Sequence, residues 1–204
     1  VKWDCVPELN LKNEHQIEVV EEMKIVGYLM RSDMKTCANT AYLVSKAYKR
    51  MWLIRRLKGL GASTVRLVDA LQKQVLLVLW LGAPAWFCQT TQQERTDIDR
   101  VAKVGLRIIY GDSYSGFESS LLAAKIRKPT EQMKLMTEKF AIKSSKHCKF
   151  SQWFQPAPVK SIRTRNGRNL PKYASILART ARYQNSPIPV LTRILNEKHH
   201  KQQQ

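Results

Sequence analysis

From Cys37 onward the apolar residues recur at helical spacing, and that period constrains the fold more than any other feature of the chain. On a wheel of ~100° per residue Leu43, Ala47, Met51, Ile54 and Leu57 share one face, while Lys49, Trp52 and Arg56 share the opposite one. Gly59 and Gly61 stop this helix, and Ser63 stands where the next one needs a cap. The second helix, residues 64–81, is almost wholly apolar in its last two turns and is predicted to be the central one. A third follows Thr91, with Ile98, Val101, Ala102, Leu106 and Ile109 on its inner face and Gly111 at its end. The run "SGFE" at 115–118 has capping-box spacing for a short fourth helix, and Pro129 with Thr130 opens a fifth that reaches about Lys146.

The flanking segments differ from this helical middle. Residues 6–30 alternate apolar and polar around Leu9, Leu11, Ile17, Val19, Met23 and Ile25, with Asn13 and Glu14 as a turn, which predicts a small antiparallel β unit. "MKIVGYLM" is its best strand, and Gly27 within it marks a bulge or the close approach of another backbone. After Phe150 the stretch "QPAPVKSIRTRNGRNLPKY" is rich in Pro and basic residues and reads as an extended arm. "PIPVLTRILNEKHH" supplies a last helix, and "KQQQ" is expected to fray. The fold class that follows is mainly α with a small N-terminal antiparallel β unit, a helical bundle and a basic extended arm. The predicted division falls at 1–36, 37–146 and 147–204.

Charge narrows the partners. The chain of 204 residues carries a formal net charge of +19, distributed as −2 over residues 1–36, +9 over 37–142 and +12 over 143–204. Such a balance favours nucleic acid or an anionic surface. The apolar run from Val75 is shorter than the ~20 residues a bilayer span needs, and Gly82 and Pro84 interrupt it, so no membrane partner is expected. Cys5, Cys37, Cys88 and Cys148 lie far apart without CxxC spacing, which predicts reduced thiols and an intracellular protein. A start at Val1 rather than Met, with strand signals at once, suggests a piece of something longer.

No catalytic constellation stands out. Asp97 and Asp99 are two apart in a helical context, where their side chains diverge by ~200°, so both are predicted to be solvated. His147 and Cys148 are adjacent but lack further ligands at zinc spacing, and His199 and His200 sit in a polar tail. No Ser has a His and acid partner, and no glycine loop reads as a phosphate cradle. No catalytic residue, metal ligand or cofactor is therefore assigned. What remains is the segment "SKAYKRMWLIRRLKGLGAS", residues 45–63, in which Lys46, Lys49, Arg50, Arg55, Arg56 and Lys58 are interleaved with Tyr48 and Trp52. Cations neutralise phosphates whatever the sequence, and the aromatics stack on bases or pack beneath them. Arg163, Arg165 and Arg168 in the arm are the second candidate group.

Taken together, "VVEEMKIVGYLMRSDMKT", "SKAYKRMWLIRRLKGLGAS", "LWLGAPAWFCQTT", "DIDRVAKVGLRIIYG", "TEKFAIKSSKHCKFSQWF" and "ARTARYQNSPIPVLTRILNEKH" resemble the C-terminal part of the reverse transcriptases of non-LTR, LINE-type retrotransposons. The resemblance runs from about Val6 to His199. It implies that Ile25, Val26, Gly27 and Tyr28 belong to a primer-grip β-hairpin at the end of the palm. Residues 37–146 would then be thumb and connecting region, and 147–204 the C-terminal extension. It also implies that the partners are an RNA template with its DNA primer and the upstream fingers and palm of the same polyprotein. The catalytic aspartates and their Mg2+ ions would lie in that palm, outside this chain, and the parent would work in the nucleus. Many members end in a Cys-Cys-His-Cys knuckle that lone Cys148 cannot form. Two other readings share the same charge: an autonomous basic RNA- or DNA-binding module, and a decayed remnant acting as a protein-interaction domain.

Overall fold

The computed structural model describes residues 20–157 and 171–203, and among these the first regular element is a hairpin, β1 (Glu22–Ile25) paired antiparallel with β2 (Tyr28–Arg31). "MKIVGYLM" is thus two strands and not one. Val26 and Gly27 form the connecting turn, both with positive φ (47° and 85°), the pairing of a type I′ turn, whose twist matches that of the strands it joins. Gly27 is therefore not a bulge inside a strand. It is the second turn residue, and a Cβ there would lie 3.0 Å from Leu81 Cδ2. The expected turn at Asn13 and Glu14 lies outside the described residues.

The chain is mainly helical after the hairpin, with α1 (Cys37–Gly59), α2 (Thr64–Ala70), α3 (Leu77–Trp80), α4 (Ala83–Trp86), α5 (Gln92–Tyr110), α6 (Phe117–Ala124), α7 (Pro129–Lys146), α8 (Ala181–Gln184) and α9 (Pro187–Gln203). Helix α1 ends at its two glycines for a local reason. Gly61 takes φ 77°, Ala62 N–H donates to Leu57 O and Gly61 N–H to Lys58 O, which is the paired bonding of a Schellman stop. Ser63 does take the N-cap position of α2, in extended conformation, but its side chain makes no capping bond. At α6 the N-cap is Gly116, and the expected capping box from Ser115 does not form, because Ser115 Oγ is turned to Ser119 Oγ instead.

Helices α2 and α3 form one path, joined by a π-helical turn, Leu71–Leu76, that lets Leu71, Val75, Leu76 and Leu79 all point inward. By length and composition alone the stretch Thr64–Gln89 would suffice to cross a bilayer, which the apolar run alone did not indicate. Its path nevertheless breaks at Leu81, where Gly82 turns at φ 63° and Pro84 sits in the first turn of α4. Around it close α1 and α5, contributing Leu43, Ala47, Met51 and Ile54 from the former and Ile98, Val101, Ala102, Leu106 and Ile109 from the latter. Helix α5 comes closest at Gly105, where a Cβ would lie 2.4 Å from Leu71 Cδ1. Fully burying side chains of this size stabilises by roughly 1.5–3 kcal/mol each, so this cluster dominates the stability of the fold.

A second, smaller cluster is built from Ala141 of α7, Phe154, and Leu191 and Leu195 of α9. Helix α7 serves both cores, Met133 in the first and Ala141 in the second. Beyond α7 the chain runs to Ala157 and returns at Lys172, where Pro156 and Tyr173 bridge, Ala157 N–H donates to Lys172 O and Ala174 N–H to Gln155 O. Asn196 of α9 holds the returning strand, accepting from Tyr173 N–H through Oδ1 and donating to Tyr173 O through Nδ2. The two ends of the segment read as an arm therefore lie side by side, and residues 158–170 between them lie outside the described residues. Helix α9 is continuous through Gln203, past the point where fraying was expected.

Candidate nucleic-acid interface

Helix α1 is the frame of the site, and its two ends are held differently. At its start, Glu94 of α5 is buried and accepts hydrogen bonds from Thr36 Oγ1 (3.0 Å), Thr40 Oγ1 (3.2 Å) and Thr91 N–H (2.6 Å). Thr91 Oγ1 accepts in return from Glu94 N–H, closing a capping box that starts α5. One carboxylate thus ties the beginnings of both helices. Asn39 adds the hairpin to this frame, its Oδ1 accepting from Leu29 N–H. At the far end Lys58 Nζ donates to Ile108 O at 2.7 Å, pinning the last turn of α1 to the last turn of α5.

With the inner stripe locked into the core, the six cations of α1 separate by direction. Lys49, Trp52 and Arg56 project within ~60° of one another on the solvent side, and Arg55 lies ~60° beyond Trp52. Lys49, Arg55 and Arg56 are exposed and make no ion pair among the described residues, and Trp52 is 58% exposed. These four form one surface. The other predicted residues do not join it. Arg50 is turned to the central path, where it donates to Gln74 O at 2.8 Å, and Lys58 is committed to Ile108 O. Lys46 lies 5.8 Å from the centroid of the Tyr42 ring, a ring that Lys24 of β1 also approaches at 5.0 Å. Hydrogen bonding to Lys24 holds the Tyr42 phenol below its ordinary pKa.

Tyr48 is half-buried between α1 and α5, where burial pushes its phenol above the ordinary range. It lines a groove of about 770 Å³ with Lys49, Glu94, Asp97 and Arg100. The groove mixes both signs of charge, and Lys49 stands at the edge it shares with the outer stripe of α1, whose charged residues are all cations. Arg163, Arg165 and Arg168 lie outside the described residues.

The hairpin meets α1 at its beginning. Tyr28 packs into the main core, and burial raises its phenol pKa; Ile25 is 42% exposed and Val26 89% exposed. Of the four predicted hairpin residues, Ile25 and Val26 face outward, Gly27 makes the turn and Tyr28 anchors it. Met23 and Met30, cross-strand partners, extend the exposed apolar face.

The acidic pair of α5 behaves differently from expectation. Asp97 and Asp99 do diverge, Asp97 accepting from Gln93 Nε2, but Asp99 is not a solvated residue. Its carboxylate accepts from Thr130 N–H at 3.1 Å and from Thr130 Oγ1 at 2.8 Å, so α5 caps the first turn of α7 from outside. Burial raises the Asp99 pKa, partly offset by the hydrogen bonds from Thr130. Two carboxylates that point apart, one of them already engaged, do not fit a pair of catalytic metal ions. Among the described residues no three His, Cys, Asp or Glu side chains converge as metal ligands.

Glu94 is the residue that sequence reading missed. A signal for it existed, because "TQQE" at 91–94 has capping-box spacing just before an apolar-periodic run. Compared with known proteins, the chain matches no family model, no curated protein and no solved structure.

Proposed function

We propose that this chain grips a template–primer duplex, as the thumb-bearing C-terminal part of an RNA-directed DNA polymerase of the non-LTR retrotransposon kind. The observation that carries the reading is the outer stripe of α1, where Lys49, Arg55 and Arg56 are exposed and unpaired among the described residues around exposed Trp52. A helix whose opposite face is fixed in a core presents those charges at set positions along its axis. Such contacts neutralise backbone phosphates and orient the duplex without reading its sequence.

The hairpin supports the same reading. Its apolar outer face, Met23, Ile25, Val26 and Met30, would dock on the palm of the parent enzyme and set its turn near the primer end. In that enzyme the phosphoryl-transfer chemistry, with its Mg2+ ions, belongs to the palm, and the residues here hold and orient. Alone, the chain is expected to extend no primer.

Photo-crosslinking tests the assignment. A duplex substituted with 5-iodouridine is mixed with the chain, irradiated, and the crosslinked peptides identified by mass spectrometry. The expected peptide contains Trp52. Crosslinks confined to residues 147–204 would remove α1 from the interface.

A further inference from the structure

Three aromatic rings at the end of α7 form a ladder that the duplex-gripping face does not use. His147 and Phe150 stack with ring centroids 4.8 Å apart and planes 30° apart, and Phe150 and Trp153 are again 4.8 Å apart at 40°. The spacing of three residues is enforced by the backbone. Phe150 N–H donates to His147 O and Trp153 N–H to Phe150 O, both at 3.0 Å, and bonds between residues three apart bring their side chains into line.

The ladder is anchored at one end and open at the other. Trp153 packs on the second core and lines an apolar groove of about 610 Å³ with Phe140, Tyr183 and Leu191. Phe150 is half-buried and His147 is exposed. Lys149 N–H donates to His147 Nδ1 at 3.2 Å, which fixes the imidazole ring in place and leaves Nε2 as its outward nitrogen. Lys143, Lys146 and Lys149, all within four residues of His147 in the chain, are exposed, and none makes an ion pair among the described residues.

We propose that His147, Phe150 and Trp153 are a stacking platform for unpaired bases of a single-stranded nucleic acid, with Lys143, Lys146 and Lys149 along its phosphates. This goes beyond the duplex grip and stands on a different part of the fold. A ring with an open face is of little use to a duplex, whose bases are stacked on each other and show only their edges in the grooves. An unpaired base, by contrast, continues the ladder on the free face of His147, and its phosphates meet three free ammonium groups. Aromatic stacking with a cationic rim is how sequence-tolerant single-strand sites are built.

The test measures binding of the full chain to a fluorescent dT20 strand, to an abasic strand of the same length and charge, and to a blunt duplex. His147→Ala changes an exposed residue and leaves the fold intact; Phe150→Leu keeps an apolar side chain. Each is expected to weaken dT20 binding about 10-fold while leaving duplex binding within about twofold, and the abasic strand should bind wild-type protein about as weakly as dT20 binds His147→Ala. Wild-type protein that binds abasic and dT20 strands equally would overturn the proposal. So would variants that leave dT20 affinity unchanged, or that weaken duplex and single strand alike.

Discussion

Glu94 concentrates more of the structure than any other single side chain, because one buried carboxylate satisfies two threonine hydroxyls and the first amide of a capping box. Glu94→Ala leaves the hydroxyls of buried Thr36 and Thr40 without this acceptor, and each such loss costs about 1–3 kcal/mol. A total near 3 kcal/mol is expected in urea unfolding, with Glu94→Gln costing far less because its amide oxygen still accepts. Asp99 makes a prediction of a different sort. Its pKa is raised by burial, so the folded chain holds this proton more tightly than the unfolded one. Its charged form therefore costs stability at neutral pH, and that cost is relieved as pH falls through the raised pKa, toward and below the usual 3.8. Asp99→Asn, which still accepts from Thr130 N–H, should flatten the dependence of stability on pH in the window just above that value. An unchanged profile would mean that another group titrates there. Residue-level roles of this kind were only partly legible in the sequence. The divergence of Asp97 and Asp99 follows from helix geometry, but the bond from Asp99 to Thr130 spans 31 positions and depends on where α7 docks.

Elements were far more legible. The end of α1, both ends of α5 and the start of α7 follow from glycine stops, Thr91 and Pro129, and the inner faces of α1 and α5 are those the period demands. The misses have local causes. "SGFE" has the right residues at the right spacing, yet Ser115 Oγ bonds Ser119 Oγ instead, and Ser63 holds the N-cap position without making the capping bond. "MKIVGYLM" hid its turn because Val, a β-branched residue, is an unusual occupant of a positive-φ position. That observation has a consequence: Val26→Asn should stabilise the hairpin by up to about 1 kcal/mol, since Asn-Gly suits such a turn. A rise in the melting temperature checks it, and a fall would mean that Val26 makes contacts worth more than the strain. At the α5 crossing, Gly105→Ala adds a Cβ 2.4 Å from Leu71 Cδ1. Alanine favours the helix by ~1 kcal/mol, but overpacking a fully buried leucine costs ~1–3 kcal/mol. A net loss is expected, and Leu71→Val should recover part of it in a double-mutant cycle.

At the scale of the molecule, a charge of +19 implied an anionic partner from composition alone, but not which cations would face it. The helical wheel set Lys49 and Arg56 opposite the core face, but it did not show what the other four cations of the helix would meet. Folding engages Arg50 and Lys58 with backbone carbonyls and sets Lys46 beside an aromatic ring, which leaves Lys49, Arg55 and Arg56 as the outward group. This sorting depends on the placement of Gln74 and Ile108, residues 24 and 50 positions away. The claim that the outward group holds the duplex is tested most directly by salt dependence. For a chain that neutralises about five phosphates, log K for B-DNA should fall with log salt at a slope of roughly −4 to −5. Replacing Lys49, Arg55 and Arg56 with Gln should make that slope shallower by nearly three and weaken all duplex sequences alike. A variant that keeps the wild-type slope would contradict the assignment of α1 as the duplex-binding face.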